Sequence, residues 1–169
     1  MDFRNATKKD VDRAMQILLA ARTRIGRLGI DQWQYCYPTR DIVLEDVEKQ
    51  RLYVGVDEAG EIAIVFSVIN DGEPTYDKIY EGAWLSGDKK YIAVHRFAVT
   101  EGYLRHGVAS SAVRFAESYA KENGFAGVRI DTHEGNVPMR GMLEKNGFSC
   151  CGKIFLEDGQ PRVAYEKLV

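Results

Sequence analysis

The part of the chain best suited to binding chemistry runs from Tyr91 to Tyr119. An apolar segment ends at His95-Arg96-Phe97-Ala98-Val99 and leads through Arg105-His106-Gly107-Val108-Ala109-Ser110 into a helical pattern. This order predicts a strand, a glycine turn and a helix. The first turn of a helix presents backbone N–H groups without intrahelical partners at the positive end of the helix dipole. The junction is therefore suited to holding a phosphorylated ligand.

Two common nucleotide sites fit this junction poorly. Gly102 and Gly107 have the spacing of the glycines in a nucleotide P-loop, but Val108-Ala109 stands where that loop needs Lys followed by Ser or Thr. A dinucleotide turn needs Gly-x-Gly-x-x-Gly early in a repeated βαβ scheme, which the chain does not have. A nucleotide-binding phosphotransferase is therefore a disfavoured hypothesis.

The composition limits the other classes of function. A chain of 169 residues, 45% of them hydrophobic and 28% charged, fits one globular domain spanning residues 1–169. The net charge of −2 gives no reason to expect nucleic acid or a membrane surface as a partner. Three cysteines, including the neighbours Cys150 and Cys151, suit neither a fully paired disulfide framework nor a zinc site. With no apolar signal segment, we expect a cytoplasmic protein with reduced thiols and no metal.

Periodicity and turn signals predict the elements that position the junction. Polar positions of the first helix, Arg24 among them, are expected to face solvent. Thr39 is expected to cap the second helix. The strand–helix–strand–helix order that begins with the junction itself favours parallel strands joined by a crossover. The predicted elements are a strand at 3–6, helices at about 11–28 and 40–49, hairpin strands at 52–56 and 61–69, a connection at 70–90, the strand at 91–99, a helix from 108 that stops at Asn123-Gly124, a strand at 127–132, a helix at 137–146 and hairpin strands at 148–156 and 162–168.

Two motifs in this framework resemble the GNAT superfamily of acetyl-CoA-dependent N-acetyltransferases. The family's central motif, Gln/Arg-x-x-Gly-x-Gly/Ala between its fourth strand and third helix, is similar to Leu104-Arg105-His106-Gly107-Val108-Ala109, with Leu104 at the Gln/Arg position. Asn136-Val137-Pro138-Met139, followed by Glu144-Lys145-Asn146-Gly147-Phe148, resembles its Asn-containing loop, fourth helix and next strand. The resemblance covers essentially the whole chain. It implies an α/β (α+β) fold with a mixed, mostly antiparallel sheet of about six or seven strands, a central parallel pair and about four helices.

The resemblance implies acetyl-CoA as the cosubstrate. The turn would wrap the pyrophosphate of coenzyme A, with Gly107 allowing close backbone approach. The backbone of the preceding strand would bond the pantetheine arm, and Asn136 and Met139 would border that arm. Gly107 could instead only relieve a tight turn, Asn136 could cap the following helix, and Met139 could serve only in packing. The implied cofactor-binding residues are Phe97, Ala98, Val99, Arg105, His106, Gly107, Val108, Ala109, Ser110, Asn136 and Met139.

Acetyl transfer needs a neutral amine, a group that takes its proton and a way for the thiolate to leave. His95 is the first candidate base, because imidazole titrates near neutral pH, although a strand histidine could also be only a hydrogen-bonded core residue. His133 is the second candidate, and Glu134 is a candidate for orienting the substrate. Family members often carry a Tyr in the fourth helix that can protonate the thiolate, but the matching residue here is Leu143.

Aromatic residues are the candidates for an acceptor pocket. Trp33, Tyr35 and Tyr37 lie between the first two predicted helices, and Trp84 lies in the long connection. Trp33, Tyr35 and Trp84 could stack on a substrate, or they could fill gaps between elements as a hydrophobic plug.

The main hypothesis is an acetyl-CoA:amine N-acetyltransferase that uses a ternary complex and acts on a small-molecule or peptide amine, as a monomer or homodimer. The alternative is an acyl-CoA-binding sensor with little turnover, which the loss of the tyrosine at Leu143 motivates. The sequence does not identify the amine.

Overall fold

A computed structural model describes all residues from Met1 to Val169 and contains the elements in the predicted order. The strands are β1 (Asp2–Asn5), β2 (Leu52–Val56), β3 (Ile62–Ile69), β4 (Tyr91–Val99), β5 (Gly127–Thr132), β6 (Ser149–Phe155) and β7 (Pro161–Leu168). The helices are α1 (Val11–Gly26), α2 (Arg40–Glu48), α3 (Val108–Glu122) and α4 (Val137–Lys145). None of these helices combines the length and the apolar character needed to cross a bilayer.

The strands form a seven-stranded sheet in the order β1-β2-β3-β4-β5-β7-β6. β4 and β5 pair in parallel, whereas β5 with β7 and β6 with β7 pair antiparallel. The parallel register covers three positions, from Tyr91–Gly127 to Ala93–Arg129, although both strands continue beyond it. The predicted fold class, a mixed sheet with a central parallel pair and four helices, is confirmed.

The residues form two compact units. The first contains Met1–Val68 and Arg96–Ala112, and the second contains Ile69–His95 and Val113–Val169, so that β4 and α3 contribute residues to both. In the first unit, the apolar faces of α1 and α2 pack with residues of β2 and β3 around buried side chains such as Leu18, Val43 and Leu52. The core cluster of the second unit contains Ile69, Tyr76, Ala93, Ile154 and Ala164.

Local signals explain where the helices begin and end. The Thr39 hydroxyl accepts a hydrogen bond from the Ile42 amide and caps α2 as predicted. The Asn136 side chain accepts one from the Met139 amide and caps α4. Helix α1 ends at Gly26 rather than near Leu28, which is 42% exposed and therefore gains little from continuing the helix.

Strand β4 contains one residue with a left-handed backbone, Arg96, whose φ is 53°. Its guanidinium forms a two-pronged contact with the buried Asp46 carboxylate, Nε to Oδ2 at 2.6 Å and Nη2 to Oδ1 at 2.9 Å. Arg96 Nη1 also donates to the Tyr37 hydroxyl at 2.8 Å, and the Ser67 hydroxyl donates to Asp46. A left-handed residue costs about 1–2 kcal/mol when it is not glycine. The ion pair therefore stabilises a kink that the backbone alone disfavours.

Replacing Arg96 with glycine should leave the protein at least as stable as replacing it with alanine. Both variants remove the ion pair with Asp46, so their difference reports the backbone, where glycine avoids the left-handed strain of about 1–2 kcal/mol. Urea unfolding of Arg96→Gly and Arg96→Ala measures this difference, and an Asp46→Ala background removes the unpaired carboxylate if either variant fails to fold.

The neighbouring residue Phe97 is the control, because its φ is not positive. There, Phe97→Gly should be less stable than Phe97→Ala by about 0.5–1 kcal/mol, the usual cost of glycine in a strand. The same order at both positions would show that the kink at Arg96 carries no strain.

Candidate functional site

The predicted phosphate-binding turn lies in the first unit and connects β4 to α3. A 3-10 turn at Glu101–Tyr103 comes first, and the hydroxyl of Tyr103 donates to the Asp57 carboxylate at 2.5 Å. Arg105 and Gly107 then adopt left-handed backbones, with φ of 66° and 78°. Helix α3 begins at Val108, and the Ser111 amide donates to the Gly107 carbonyl. The amides just before Ser111 thus lie in the first turn, where a helix offers donors to an anion.

The turn meets the physical requirements of a diphosphate site. Arg105, His106 and Gly107 are exposed, and a Cβ added at Gly107 would meet no atom within 4 Å. Open space therefore lies next to the turn. Arg105 and His106 directly precede Gly107 and can supply side-chain donors there. The residues present fit the diphosphate of coenzyme A.

The three residues predicted to contact pantetheine lie at the end of β4. Ala98 is buried in the core. The ring centroids of Phe97 and Phe66 lie 5.9 Å apart. The Val99 carbonyl accepts a hydrogen bond from Arg24 Nη2 at 2.7 Å. Arg24 was expected to face solvent, but its Nη1 is buried without a hydrogen-bond partner, and burial lowers the pKa of its guanidinium. Arg24 follows the buried Ile17 by seven residues and the buried Ala21 by three, so helical spacing puts it on the inner face of α1. The expectation of solvent exposure came from its charge rather than from its spacing.

The aromatic residues before α2 have different surroundings. Trp33 is half-buried against the core of the first unit, and its ring centroid lies 6.1 Å from that of Tyr37. Tyr37 in turn accepts the hydrogen bond from Arg96. Tyr35 is 79% exposed. Trp33 and Tyr37 thus pack as a plug, whereas Tyr35 presents its ring to solvent.

His95 lies in the second unit within a network of acidic and phenolic groups. Its Nε2 is 2.9 Å from Glu73 Oε2, and its Nδ1 is 3.9 Å from Asp131 Oδ1. The hydroxyl of the buried Tyr76 donates to Asp131 Oδ1 at 2.6 Å, and its ring centroid lies 5.8 Å from that of His95. Burial and the Asp131 charge raise the pKa of Tyr76 well above its usual value, so this phenol stays protonated.

Glu73 is held in place by its own turn. It precedes the 3-10 turn Pro74–Tyr76, and its Oε1 accepts from both the amide and the hydroxyl of Thr75. Burial by itself would raise the pKa of Glu73, but the hydrogen bonds from His95 and Thr75 and the attraction of His95 outweigh it. The pKa falls to about 2, and Glu73 is a carboxylate at neutral pH.

The other predicted residues of the second unit lie around the start of α4. His133 Nδ1 accepts from the Gly135 amide at 2.9 Å, so this nitrogen already has a backbone donor. Glu134 is exposed, and its carbonyl accepts from Arg140. Asn136 is buried and caps α4, and Met139 is half-buried. The capping hypothesis for Asn136 is confirmed, and its contact with a ligand stays a prediction.

Trp84 packs against a buried arginine. The Arg129 guanidinium lies 4.2 Å from the Trp84 ring centroid and 3.7 Å from that of Tyr91. Arg129 Nε donates to Glu166 at 2.9 Å, and the Ser86 hydroxyl donates to the same carboxylate. These contacts attach the connection between β3 and β4 to β5 and β7, so Trp84 has a structural partner that the sequence did not indicate.

No tyrosine lies at the position where many members of the resembled family carry one that can protonate the leaving thiolate. Leu143 is fully buried, as expected for an apolar side chain on the inner face of α4. The hydroxyl of Tyr165, on β7, accepts from Arg140 and donates to Glu144.

Glu73, Tyr76 and Asp131 were missed as candidate site residues. Glu73 and Tyr76 lie in the segment predicted only as a connection, and Asp131 lies in a strand whose pattern is mainly apolar. One signal was present: Glu73 directly precedes Pro74, and an acceptor side chain followed by proline is typical of the start of a helical turn.

Comparisons with known proteins agree with the fold. Residues 22–148 match the Acetyltransferase (GNAT) family. The chain is similar to the crystal structure of a GNAT-family acetyltransferase from Streptococcus agalactiae, with a TM-score of 0.89, 34% identity, and coverage of 99% of this chain and 95% of that one. A ribosomal-protein-alanine N-acetyltransferase from Brucella melitensis has the same fold, with a TM-score of 0.70, 14% identity and full coverage of both chains.

One curated relative is a streptothricin acetyltransferase from Escherichia coli. It is 24% identical over 115 residues, which are 68% of this chain and 64% of that protein. The match thus spans less than two thirds of the relative's length. Since the family match covers most of the chain and includes the turn before α3, this protein belongs to the GNAT acetyltransferase family.

Proposed function

We propose that this protein is an acyltransferase that moves the acetyl group of acetyl-CoA to a primary amine of a small molecule or peptide, in a single domain spanning residues 1–169. The observation that carries this proposal is the turn of Arg105 and Gly107, whose left-handed backbones lead into the first turn of α3. GNAT acetyltransferases use acetyl-CoA as a cosubstrate, and the chain is a member of that family.

The end of β4 and the start of α3 supply most of the proposed acetyl-CoA contacts. Amides at the start of α3 hold the diphosphate, and Arg105 and His106 add side-chain donors. Backbone groups of Phe97 to Val99 bind the pantetheine arm. The Val99 carbonyl either keeps its hydrogen bond from Arg24 or loses it when the arm binds. Asn136 and Met139 remain proposed contacts of the same arm.

For the acceptor we propose a chemical class, a primary amine of a small molecule or a peptide. Streptothricin and ribosomal-protein alanine appear in the names of two similar proteins, one a small molecule and the other part of a protein. Tyr35 and Glu134, both exposed, are the proposed residues that meet the acceptor; Trp33 and Trp84 have packing partners and are weaker candidates.

The chemistry needs no covalent enzyme intermediate. The amine nitrogen forms a bond to the thioester carbon, and the carbon–sulfur bond breaks with its electron pair on sulfur. His95 takes the amine proton, and water protonates the thiolate, because Leu143 offers no acid. Holding both reactants together can remove about 7–11 kcal/mol of the barrier. His95 is preferred to His133, whose Nδ1 already accepts from the backbone.

Acetyl-CoA mixed with a panel of primary amines should release free thiol continuously in the presence of this protein. Ellman's reagent measures the thiol, and mass spectrometry detects an acetylated amine. Stabilisation by acetyl-CoA in a thermal melt, without turnover of any amine, would instead support the acyl-CoA sensor. Stabilisation by ATP with magnesium but not by coenzyme A would refute both hypotheses.

Gly107→Ala should weaken acetyl-CoA binding. Alanine at a φ of 78° is strained by about 1–2 kcal/mol, so the turn shifts, and its methyl group enters the open space proposed for the diphosphate. We expect the Kd for coenzyme A, measured by calorimetry, to rise about tenfold, which corresponds to about 1.4 kcal/mol.

Gly102→Ala is the matched control, because Gly102 lies in the same loop, also has no atom near an added Cβ, and does not have a positive φ. Its Kd should stay within about threefold of the wild-type value, since alanine at this position adds no left-handed strain. Equal effects of the two substitutions would contradict a specific role for the Gly107 backbone.

A further inference from the structure

We propose that Glu73 is a positioning residue for acetyl transfer: it holds the Nε2–H of His95 and thereby makes Nδ1 the atom that takes the proton from the amine. This inference rests on the proposed function, in which His95 is the base. It adds a residue from the connection between β3 and β4 and assigns the proton to one named nitrogen.

The contact between the two side chains is direct. Glu73 Oε2 lies 2.9 Å from His95 Nε2, and the side chains are 20% and 18% exposed. The other carboxylate oxygen, Oε1, accepts from the Thr75 hydroxyl at 2.8 Å and from the Thr75 amide at 3.3 Å. Each oxygen of Glu73 therefore has its own partner, and the plane of the carboxylate is fixed relative to the imidazole.

The ionisation of Glu73 determines which nitrogen carries the proton. As a carboxylate at neutral pH, Glu73 can accept a hydrogen bond but cannot donate one. His95 Nε2 must therefore be the donor, and in the neutral ring the lone pair lies on Nδ1. A carboxylate that orients a histidine in this way also stabilises the imidazolium that forms when the ring takes a proton.

The surroundings of Nδ1 leave that atom able to accept a proton. The nearest carboxylate oxygen, Asp131 Oδ1, is 3.9 Å away, which is too long for a hydrogen bond, and it already accepts from the Tyr76 hydroxyl. The titratable groups that face the His95 ring are Glu73, Asp131 and Tyr76. Tyr91 contacts Glu73 and Tyr76 rather than the ring itself. After proton transfer, the charged ring lies between two carboxylates.

The backbone of Glu73 is fixed as well. The Tyr91 hydroxyl lies 3.3 Å from the Glu73 amide nitrogen and accepts from it. Tyr91 is on the same strand as His95, and its ring packs against Arg129. Glu73 and His95 are thus both tied to β4, so their distance does not depend on a mobile loop.

In the proposed step, the amine lone pair forms the bond to the thioester carbon, and the amine proton moves to His95 Nδ1. The carbon–sulfur bond breaks with its electron pair on sulfur, which takes a proton from water. Glu73 neither gains nor loses a proton, and its charge balances the imidazolium until Nδ1 returns its proton to solvent.

The tautomer of His95 can be tested without turnover. Long-range ¹H–¹⁵N correlation spectra of the protein, with the His95 signals assigned from a His95→Gln variant, should show that the neutral ring has a protonated Nε2 and an unprotonated Nδ1. A proton on Nδ1 would overturn the inference whether or not the protein acetylates amines.

The kinetic test is Glu73→Gln, which keeps the shape of the side chain and can still accept from Thr75. We expect kcat to fall about tenfold or more, with the KM for acetyl-CoA unchanged, because general-base catalysis supplies about 10²–10⁴-fold and part of it is lost. A fall in kcat with an unchanged KM separates a loss of positioning from a loss of acetyl-CoA binding.

Glu157→Gln is the control, because Glu157 is exposed in the turn between β6 and β7. It should change neither kcat nor the KM for acetyl-CoA. A Glu73→Gln variant that loses thermal stability but keeps the wild-type kcat would show a merely structural role and overturn the inference. If the wild-type protein turns over no amine, the proposed function fails, while the tautomer measurement still decides whether Glu73 fixes the proton of His95 on Nε2.

Discussion

The ion pair between Arg96 and Asp46 is the constraint on which the binding strand depends. It holds one residue of β4 in a left-handed conformation, and side chains on the two sides of such a residue no longer follow one simple alternation. Asp46 comes from α2 and is buried, so the kink is fixed by a helix rather than by the strand itself. The residues after the kink are those proposed to bind the pantetheine arm.

Each unit contains one arginine–carboxylate pair that is largely or fully buried. In the first unit it is Arg96 with Asp46, and in the second it is Arg129 with Glu166, where two aromatic rings cover the guanidinium. Buried pairs add little net stability compared with apolar residues of similar size, but removing one partner leaves an uncompensated charge. We infer that their main effect here is specificity: each pair allows only one placement of the segment that carries it, α2 in one case and the connection containing Trp84 in the other.

The same physics separates the two histidine candidates. His95 contacts a carboxylate through one ring nitrogen and has no hydrogen-bond partner at Nδ1 among the carboxylates nearby, whereas His133 uses its Nδ1 to close a turn with Gly135. Two histidines, one in the middle of β4 and one directly after β5, thus have different chemical capacities. The difference comes from the groups around them, since an imidazole can act as a base only through a nitrogen that is not already accepting.

The sequence by itself determined the order of elements, the bounds of β4, the start of α3 and the glycine turn between them. These depend on local periodicity, capping residues and backbone freedom, which short stretches of sequence encode. Tertiary structure alone decided that Glu73 meets His95 across 22 residues, that Asp46 holds Arg96 across 50, and that Arg24 bonds the Val99 carbonyl. Such contacts join side chains from separate elements, and their geometry follows from how those elements pack, which no local pattern of residues specifies.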